Sequence, residues 1–341
     1  MFPFTPPTLL APMWGVLSPE IGELLSSYGP VGLVCGPFIR ITAAETGDDW
    51  IRSHVAPRAD RPVSVQLMGS DPMRMAHAAG VLSAAGADVI DVNLGCPVRQ
   101  VVRKGAGAAL LRDPTKLREL LLRVRDRATG LLSVKLRAGW GTTEGLVEIG
   151  RRIEACGVDF VTLHPRARSE MYDGVADWSL VSELAHALRV PVVGNGDCWY
   201  AIDALELWRA TSCAAVMIGR PALRNPWIFR QLDELCRGRT PYAPSGADVV
   251  AHLSEVADRL ERTLGRTRRG PLGPLKEHVT WLLRALPNGH DPMQRALRAP
   301  SPVEVLEAVA SDLGSLPPTA LDLDAHGAFR LERTPMPKSD P

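Results

Sequence analysis

The sequence has almost no excess of charge: 39 lysines and arginines are balanced by 38 aspartates and glutamates, so the formal net charge is +1. This balance excludes a protein that coats nucleic acid through its overall field, but it leaves room for a local basic surface. The six cysteines form no C-x-x-C pair, and none lies near a histidine pair at the spacing of zinc ligands. We therefore expect no metal-binding module.

The chain also lacks the sequence features of membrane and exported proteins. No stretch reaches about 18 consecutive apolar residues, and residues 1–7 contain no charged segment followed by an apolar run. We expect a reduced, cytoplasmic protein with no membrane partner. With 341 residues and 45% hydrophobic content, the chain is long enough for two domains, or for one large α/β barrel with an added module.

Short apolar runs recur along the first two-thirds of the chain, each closed by Gly, Pro or Asn and followed by an amphipathic stretch of helix length. Most of these runs are continuously apolar, as in parallel strands that are buried on both faces. The eight predicted strands cover residues 8–13, 31–38, 63–67, 89–95, 132–137, 160–164, 190–195 and 214–219. The helices predicted between them include residues 72–85, 114–127, 145–155 and 178–188.

This alternation predicts an α/β fold, a (β/α)8 TIM barrel that occupies residues 1–240. A doubly wound open sheet is the alternative, because the number of strands does not by itself prove closure. After Phe229 the pattern changes to a polar connector rich in proline and glycine, and no further strand is predicted.

The C-terminal part is predicted to be a small helical bundle domain over residues 241–318, following a boundary near residue 240. Its predicted helices are residues 247–264, 272–285 and 302–313. The last residues, from about Pro317, are rich in proline and lack periodicity. We therefore expect residues 319–341 to form a loosely held tail.

Polar residues lie at the carboxyl ends of the predicted strands, where a barrel of this type carries its chemistry. Any one of them could be a capping or turn residue, but their recurrence at one rim predicts an active site. They are Gln66, Asn93, Cys96, Lys135, Arg137, His164, Arg166, Asn195 and Asp197.

Cys96 is the candidate reactive residue of this rim. It follows the fourth predicted strand in a turn that Gly95 and Pro97 restrict and that the Asn93 side chain can support. The sequence suggests no His and Asp partners for it, which favours a neutral thiol that donates a proton over a nucleophile. The alternative is a buried structural cysteine.

The same rim offers an anion-binding site. Lys135 ends an apolar strand, so its ammonium requires an anionic partner. Glycine-rich turns at residues 194–197 and 217–220 follow the last two strands, where barrels commonly bind phosphate, and Arg220 can add a bidentate contact. Because no G-x-G-x-x-G motif follows an early strand, this pattern favours flavin mononucleotide over a dinucleotide.

Seven segments carry a more specific signal: residues 10–13, 65–72, 92–98 with 105–111, 134–140, 163–166, 194–197 and 217–220. In this order they resemble the bacterial tRNA-dihydrouridine synthase family. Residues 276–281 resemble the helical domain that these enzymes add to an FMN-binding barrel. The sequence departs from the family pattern at Trp14, at Gly36 and Pro37, and at Pro165.

The resemblance implies that the protein reduces the C5=C6 bond of specific uridines in tRNA to 5,6-dihydrouridine, with electrons from NADPH or NADH passed through FMN. It implies proton donation by Cys96, and contact of Asn93 and Arg166 with the substrate. It also places flavin contacts at Pro12, Met13, Gln66, Lys135, His164, Asn195, Gly196, Asp197, Gly219 and Arg220. The implied partner is tRNA, and we expect a monomer.

Two other functions are consistent with the barrel. One is an FMN-dependent oxidoreductase of a free pyrimidine or another small alkene, similar to dihydroorotate dehydrogenase. The other is an RNA-binding module without activity, which the presence of Cys96 and Lys135 disfavours. A tRNA enzyme needs cations for phosphates, and the bundle segment supplies Arg259, Arg262, Arg266, Arg268 and Arg269.

From this group we assign Arg266, Arg268 and Arg269 to the substrate. The alternative is a solvated helix face, in which arginines alternate with Glu255, Asp258 and Glu261.

Overall fold

The structure is a computed structural model that describes residues 2–36, 38–42, 47–55, 62–284, 286–287, 289–324 and 326. Its strands form one parallel sheet: β1 (Thr8–Leu10), β2 (Leu33–Cys35), β3 (Ile39–Arg40), β4 (Val63–Met68), β5 (Val89–Leu94), β6 (Leu131–Gly139), β7 (Phe160–Ala167), β8 (Val192–Asn195) and β9 (Ala215–Ile218).

The described helices follow the same order along the chain. They are α1 (Pro19–Ser27), α2 (Asp48–Arg52), α3 (Pro72–Ala84), α4 (Arg99–Val102), α5 (Pro114–Arg127), α6 (Leu146–Glu154), α7 (Ser179–Ala187), α8 (Ala201–Ala210), α9 (Pro221–Arg224), α10 (Ile228–Cys236), α11 (Gly246–Leu264), α12 (Leu272–Leu283), α13 (His290–Arg298) and α14 (Pro302–Leu313), with short 3-10 helices at Gly107–Arg112 and Pro318–Ala320. Among these helices, none combines the length and the apolar character that crossing a bilayer requires.

Eight of the strands close into a barrel. β1 pairs in parallel with both β2 and β9, and β2 pairs with β4, so the order β1-β2-β4-β5-β6-β7-β8-β9 returns to β1. The two-residue strand β3 continues the path of β2 along β4, where Ile39 pairs with Leu67. The predicted (β/α)8 barrel is therefore confirmed, and the open sheet is excluded.

Strand ends differ from the prediction for local reasons. β1 ends at Leu10 rather than at residue 13, because Pro12 has no N–H to donate to a neighbouring strand. β6 and β7 extend past Arg137 and His164, and their pairing continues through an irregularity between Arg137 and Gly139. The extra length carries side chains of β6 and β7 further into the rim formed by the carboxyl ends of the strands.

Apolar residues close the opposite end of the barrel. Phe2 and Phe4 pack edge-to-face against Phe160 at the start of β7, with ring centroids 5.4 and 6.3 Å away. Around them lies a compact cluster of fully buried side chains that includes Leu9 and Leu33. The barrel interior is therefore filled from this end, and access is left to the carboxyl ends of the strands.

Helix starts are marked by local capping. The Asp71 carboxylate accepts hydrogen bonds from the N–H groups of Met73 and Arg74, and Asp113 caps α5 in the same way. Both helices have proline in the first turn, where its missing N–H is not needed. These signals explain why the predicted helices at 72–85 and 114–127 match α3 and α5 closely.

The C-terminal helices form a bundle, as predicted, but with an additional member. α13 was not predicted, since it has only nine residues and contains Pro292. Proline is compatible with the first turn of a helix, so Pro292 does not interrupt it. The connector between α10 and α11 lies at residues 237–245, next to the predicted boundary, and the division into two domains stays a prediction.

The bundle is joined to the barrel by a buried aromatic and polar contact. The hydroxyl of Tyr28, at the end of α1, lies 3.0 Å from Nδ1 of His252 in α11, and the ring of Trp227 packs against both. His278 in α12 contacts the backbone at Val16, in the loop that follows β1. The bundle therefore packs beside the rim.

The tail prediction is wrong for its first residues. Leu321 and Leu323 are buried, and the carbonyl of Leu323 accepts a hydrogen bond of 2.7 Å from Gln231. Asp322 forms a buried ion pair with Arg224 at 2.7 Å. The apolar and ionic contacts outweigh the entropy that a free tail would retain; residues 325 and 327–341 lie outside the described chain.

Candidate active site

The turn after β5 places Cys96 at the rim of the barrel. Oδ1 of Asn93, the residue before the last of β5, accepts hydrogen bonds from the N–H groups of Gly95 (3.0 Å) and Cys96 (2.9 Å). The guanidinium of Arg137 holds the same turn from β6, since its Nε donates to the carbonyl of Gly95 at 3.1 Å. The predicted turn around the thiol is therefore present and is supported from two strands.

The surroundings of Cys96 keep its thiol protonated. Burial raises the pKa of Cys96, while the backbone N–H of Val98 and the cations Arg137 and Arg40 act in the opposite direction. The net direction is upward from the ordinary value, so the neutral thiol dominates near pH 7. A neutral, partly accessible thiol is a proton donor rather than a nucleophile.

Lys135 lies inside the barrel and donates a hydrogen bond of 2.8 Å from its Nζ to Oδ1 of Asn195. Asn195 is fixed in turn, because its amide nitrogen donates to the carbonyl of Met217 at 2.8 Å. Burial lowers the pKa of Lys135 to about 8, and Arg137 adds to this effect while Asp91 opposes it. A partly buried ammonium held by a neutral amide is suited to an anionic or carbonyl-bearing ligand.

His164 is the second sign that this rim is built for a ligand. Its Nδ1 atom is buried and has no hydrogen-bond partner among the described residues. Burial lowers the pKa of His164 well below its usual value, and the charges of Arg137, Lys135 and Arg166 lower it further. A neutral histidine with an unpaired ring nitrogen has hydrogen-bonding capacity for a bound group.

Arg166 and Asp197 are brought together, but as partners of each other. Two nitrogens of the guanidinium donate to the two carboxylate oxygens at 3.0 and 2.8 Å. Arg166 also binds the carbonyls of Asp173 and Gly174, and Asp197 accepts from the N–H of Ala176. With Arg166 only 2% exposed, the pair holds the loop after β7 in place, and direct contact of either residue with a ligand stays a prediction.

The glycines that the resemblance assigns to the flavin lie where a side chain would be strained or tightly packed. Gly196 has a φ of +126°, and a Cβ there would lie 3.4 Å from Nε2 of His164. A Cβ on Gly219 would lie 3.3 Å from the Cβ of Ala11, just before Pro12 and Met13. These positions leave open backbone at the ends of β8 and β9, which suits close approach of a phosphate.

Tyr172 is a site residue that the sequence did not reveal. Its half-exposed ring lies 5.1 Å from the guanidinium carbon of Arg137 and 4.1 Å from that of Arg220. The ring also meets His164 edge-on, with 6.4 Å between centroids. Tyr172 therefore links the two arginines across the rim, and Met171 before it has a φ of +50°, outside the range most residues adopt.

Tyr172 comes from an irregular loop that follows β7, where neither period nor motif marks a residue. The sequence feature that comes closest to predicting Tyr172 is the pair of strand-end cations, Arg137 and Arg220, that its ring contacts. A second arrangement of this kind lies further along the rim, where Arg112 and Arg168 each lie 4.9 Å from the ring of Trp140.

The departures from the family pattern have different outcomes. Trp14 is largely exposed and stacks on Phe38, with ring centroids 4.6 Å apart. Pro165 lies within β7, where the strand continues on both sides of it. Gly36 follows β2, and Pro37 lies outside the described residues.

The bundle arginines do not behave as one group. Arg266, Arg268 and Arg269 are exposed and lie in the turn between α11 and α12, not on a helix face. Arg259 instead binds inside the protein: it donates to Glu255 at 2.8 Å, and to the carbonyl of Glu20 at 3.0 Å. The expectation that Arg259 is part of an exposed cation cluster is therefore wrong, because α11 packs against α1 at this point.

Comparison with known proteins agrees with this arrangement. The sequence model of the dihydrouridine synthase (Dus) family matches residues 9–311. A Rhodobacter capsulatus protein named probable tRNA-dihydrouridine synthase is 33% identical over 284 residues, which cover 82% of this chain and 87% of that protein. The tRNA-dihydrouridine synthase B of Pasteurella multocida is 33% identical over 280 residues, covering 81% and 83% of the two chains.

A Rickettsia conorii protein, also named probable tRNA-dihydrouridine synthase, is similar over a longer range. It is 28% identical over 306 residues, which cover 89% of this chain and 92% of that protein. The similarity therefore includes both the barrel and the C-terminal helices. By these matches and by the barrel that carries Cys96, the chain belongs to the dihydrouridine synthase family.

Proposed function

We propose that the protein reduces the C5=C6 bond of specific uridines in tRNA to 5,6-dihydrouridine, using FMN and the electrons of NADPH or NADH. The observation that carries this proposal is the neutral thiol of Cys96, which Asn93 holds in its turn. The same rim carries the ammonium of Lys135 and the unpaired Nδ1 of His164, both of which can bind a ligand. The printed names of the relatives, which include tRNA-dihydrouridine synthase, support the same reaction.

The rim fits an FMN. The unpaired Nδ1 of His164 and the Nζ of Lys135 can meet the polar edge of a flavin ring, and Asn195 orients Lys135 toward it. Arg220 and the open backbone at Gly196 and Gly219 can hold the phosphate. When bound, FMN supplies the hydride that C6 of the uracil accepts.

Cys96 supplies the proton that completes the reduction. Two electrons arrive at C6 as a hydride, so the second new bond, at C5, needs only a proton. The thiol can give it, because burial favours the protonated form until the step occurs. Arg137 and Arg40 then stabilise the thiolate that remains, and solvent returns the proton.

The cations of the rim favour the charge that develops on the uracil. Addition of hydride to C6 moves negative charge toward O4, and positive side chains fixed in a low-dielectric site stabilise such charge strongly. Arg137 is fixed by the carbonyls of Gly95 and Ala167, and Tyr172 covers its face. A uracil stacked inside folded RNA cannot reach this site, so the base must be flipped out.

The exposed turn between α11 and α12 is proposed to bind tRNA phosphates through Arg266, Arg268 and Arg269. It lies on the bundle, which packs beside the rim through His278 and the loop after β1. The protein is also proposed to act in the cytoplasm as a monomer.

The test is an assay with the purified protein. We expect a yellow protein that releases one FMN per chain, and formation of dihydrouridine in a tRNA transcript when NADPH is added, read by mass spectrometry of nucleosides. Free uridine, offered at the same concentration, should react far more slowly. Equal rates with free uridine would favour the oxidoreductase of small pyrimidines, and a colourless protein that ignores added FMN would contradict the proposal.

A further inference from the structure

The carboxyl group of Asp91 is not used by the proposed reaction, although it lies inside the barrel below the catalytic rim. The residue is buried in the middle of β5, and burial raises the pKa of Asp91. Two short hydrogen bonds oppose this effect, one from Nε2 of Gln66 and one from Oγ of Ser133, both 2.6 Å long. Burying a carboxyl group costs free energy, and two hydrogen bonds stabilise Asp91 in this position.

The hydrogen bonds that lead away from Asp91 run in one direction. The oxygen that faces Gln66 is an acceptor, so Gln66 turns its amide nitrogen toward Asp91 and its carbonyl away. That carbonyl accepts a hydrogen bond of 2.7 Å from Nδ2 of Asn93. Asn93 is thereby left with its own carbonyl oxygen facing the opposite way.

The series ends at the catalytic turn. The freed oxygen of Asn93 is the acceptor for the N–H groups of Gly95 and Cys96. Were either amide reversed, Asn93 would present an NH2 group to two N–H groups, and the turn would lose both bonds. The same order holds if Asp91 is protonated, because its O–H can point to the oxygen of Ser133.

We propose that Asp91 is a positioning residue for the Cys96 thiol, acting through Gln66 and Asn93, whose amide orientations it sets. This inference rests on the proposed role of Cys96 as the proton donor. It requires an acceptor at position 91, not a negative charge.

A role through charge alone is the competing explanation, because Asp91 opposes the lowering of the Lys135 pKa. Two variants separate the explanations. Asp91→Asn removes the charge but keeps an acceptor for Gln66, since its new NH2 group can face the oxygen of Ser133. Asp91→Leu removes both the charge and the acceptor.

The readout is the alkylation rate of Cys96 by iodoacetamide as a function of pH, measured by mass spectrometry of the peptide that contains it. The exposed Cys236 is replaced by Ser in every sample. In Asp91→Leu the turn loosens and the thiol loses the Val98 N–H, so its apparent pKa rises. We expect alkylation at pH 7 to slow about tenfold, the effect of one lost hydrogen bond of roughly 1.4 kcal/mol.

Asp91→Asn should restore most of this rate, whereas a role through charge predicts that it behaves like Asp91→Leu. The matched control is Ser133→Ala, which removes the other hydrogen bond to Asp91 but leaves the path to Cys96 intact, and it should keep the original profile. Asn93→Ala should slow alkylation as Asp91→Leu does, and the double variant should be no slower than either, because both act on one path.

An original alkylation profile in a folded Asp91→Leu protein would overturn the proposal, as would equal effects of Asp91→Leu and Ser133→Ala. If Asp91→Leu does not fold, Gln66→Met interrupts the same path and carries the same expectation. Alkylation needs no RNA, so a failure to reduce tRNA and a failure of this inference are seen in different experiments.

Discussion

The barrel rim differs from the junction, by which we mean the contacts of the barrel with the C-terminal helices and with the segment that follows them. Both regions are rich in buried polar groups, but the partners of these groups differ. At the junction, each partner comes from the chain itself: Arg224 binds Asp322 at 2.7 Å, and the hydroxyl of Tyr200 donates to the same carboxylate at 2.6 Å. At the rim, Lys135 donates to a neutral amide, and Nδ1 of His164 has no partner among the described residues.

The histidines show the same contrast. Burial lowers the pKa of His252 to about 3, and the Tyr28 hydroxyl lies at its Nδ1, so a neutral ring is matched to a local partner. Burial also keeps His164 neutral, but the charged groups around it are cations, and none of them accepts a hydrogen bond from its ring. Burial of polar groups therefore does not by itself mark a functional site; His164 differs because it is buried among cations and its Nδ1 has no partner among the described residues.

The largest expected effect concerns the rim. Cys96→Ala should slow single-turnover formation of dihydrouridine in tRNA by roughly 10²–10⁴-fold, because a positioned proton donor is lost. Oxidation of NADPH by the same protein should remain, since it precedes the use of the thiol. Rapid-mixing measurements of both steps check this, with Cys236→Ser as the control; an unchanged rate on tRNA would exclude Cys96 as the acid.

The next effect belongs to the junction. Asp322→Ala should lower the free energy of unfolding by about 3 kcal/mol, because Arg224 loses its buried carboxylate partner. Urea unfolding followed by circular dichroism measures it. Asp312→Ala, which breaks an exposed ion pair with Arg295, is the matched control and should change the stability far less, because solvent screens this pair.

If the junction is purely structural, the folded Asp322→Ala protein should still reduce tRNA at the original rate. A loss of activity at a temperature where the variant is folded would mean that the junction and the rim are coupled.

Replacing Lys135 should weaken flavin binding without unfolding the protein. A hydrogen bond from a charged group contributes roughly 1.5–3 kcal/mol, so Lys135→Met should raise the Kd for FMN about 10- to 100-fold. Fluorescence titration of the flavin measures it, with Lys116→Met as the control.

Lys135 also predicts a pH dependence. Its pKa near 8 means that the ammonium is charged below this value and neutral above it, so FMN affinity of the original protein should fall as pH rises above about 8. The Lys135→Met protein should show no such fall, and an identical fall in both proteins would show that another group is responsible.

The smallest effect is expected on the outer surface. Changing Arg266, Arg268 and Arg269 to Ala should weaken tRNA binding and flatten its salt dependence, by up to about 0.7–0.9 in log-log slope for each phosphate that is no longer neutralised. Flavin reduction by NADPH should not change. Arg237→Ala with Arg239→Ala, which removes cations paired with Asp233, is the control, and an unaltered slope in the triple variant would place the RNA-binding residues elsewhere.

Much of the rim could be predicted because buried parallel strands appear in a sequence as continuous apolar runs. The residues that follow these runs lie at the same edge of the sheet. Asn93, Lys135 and Asn195 were found in this way. Tyr172 was not, since its position depends on an irregular loop. The pairing of Arg166 with Asp197 was also missed, because two strand-end residues 31 positions apart show no sign in the sequence that they will neutralise each other.

The bundle was harder to predict for a related reason. The spacing of Arg259 shows that it lies on a helix, but not that this helix packs against α1, where Arg259 binds Glu20 and Glu23. Leu321 and Leu323 are isolated apolar residues in a proline-rich segment, and only the groove that receives them shows that they are held. Contacts between segments that are distant in sequence, rather than the local sequence pattern, determine where these side chains lie.

Mapping dihydrouridine across tRNA from cells with and without the gene shows whether the rim of this barrel reduces uridine in tRNA. We predict that the modification disappears from one or more defined positions in the absence of the gene. The original gene should restore it, and the Cys96→Ala gene should not. Identical dihydrouridine maps in both strains would mean that the protein does not make this modification, and full restoration by Cys96→Ala would exclude Cys96 as the proton donor.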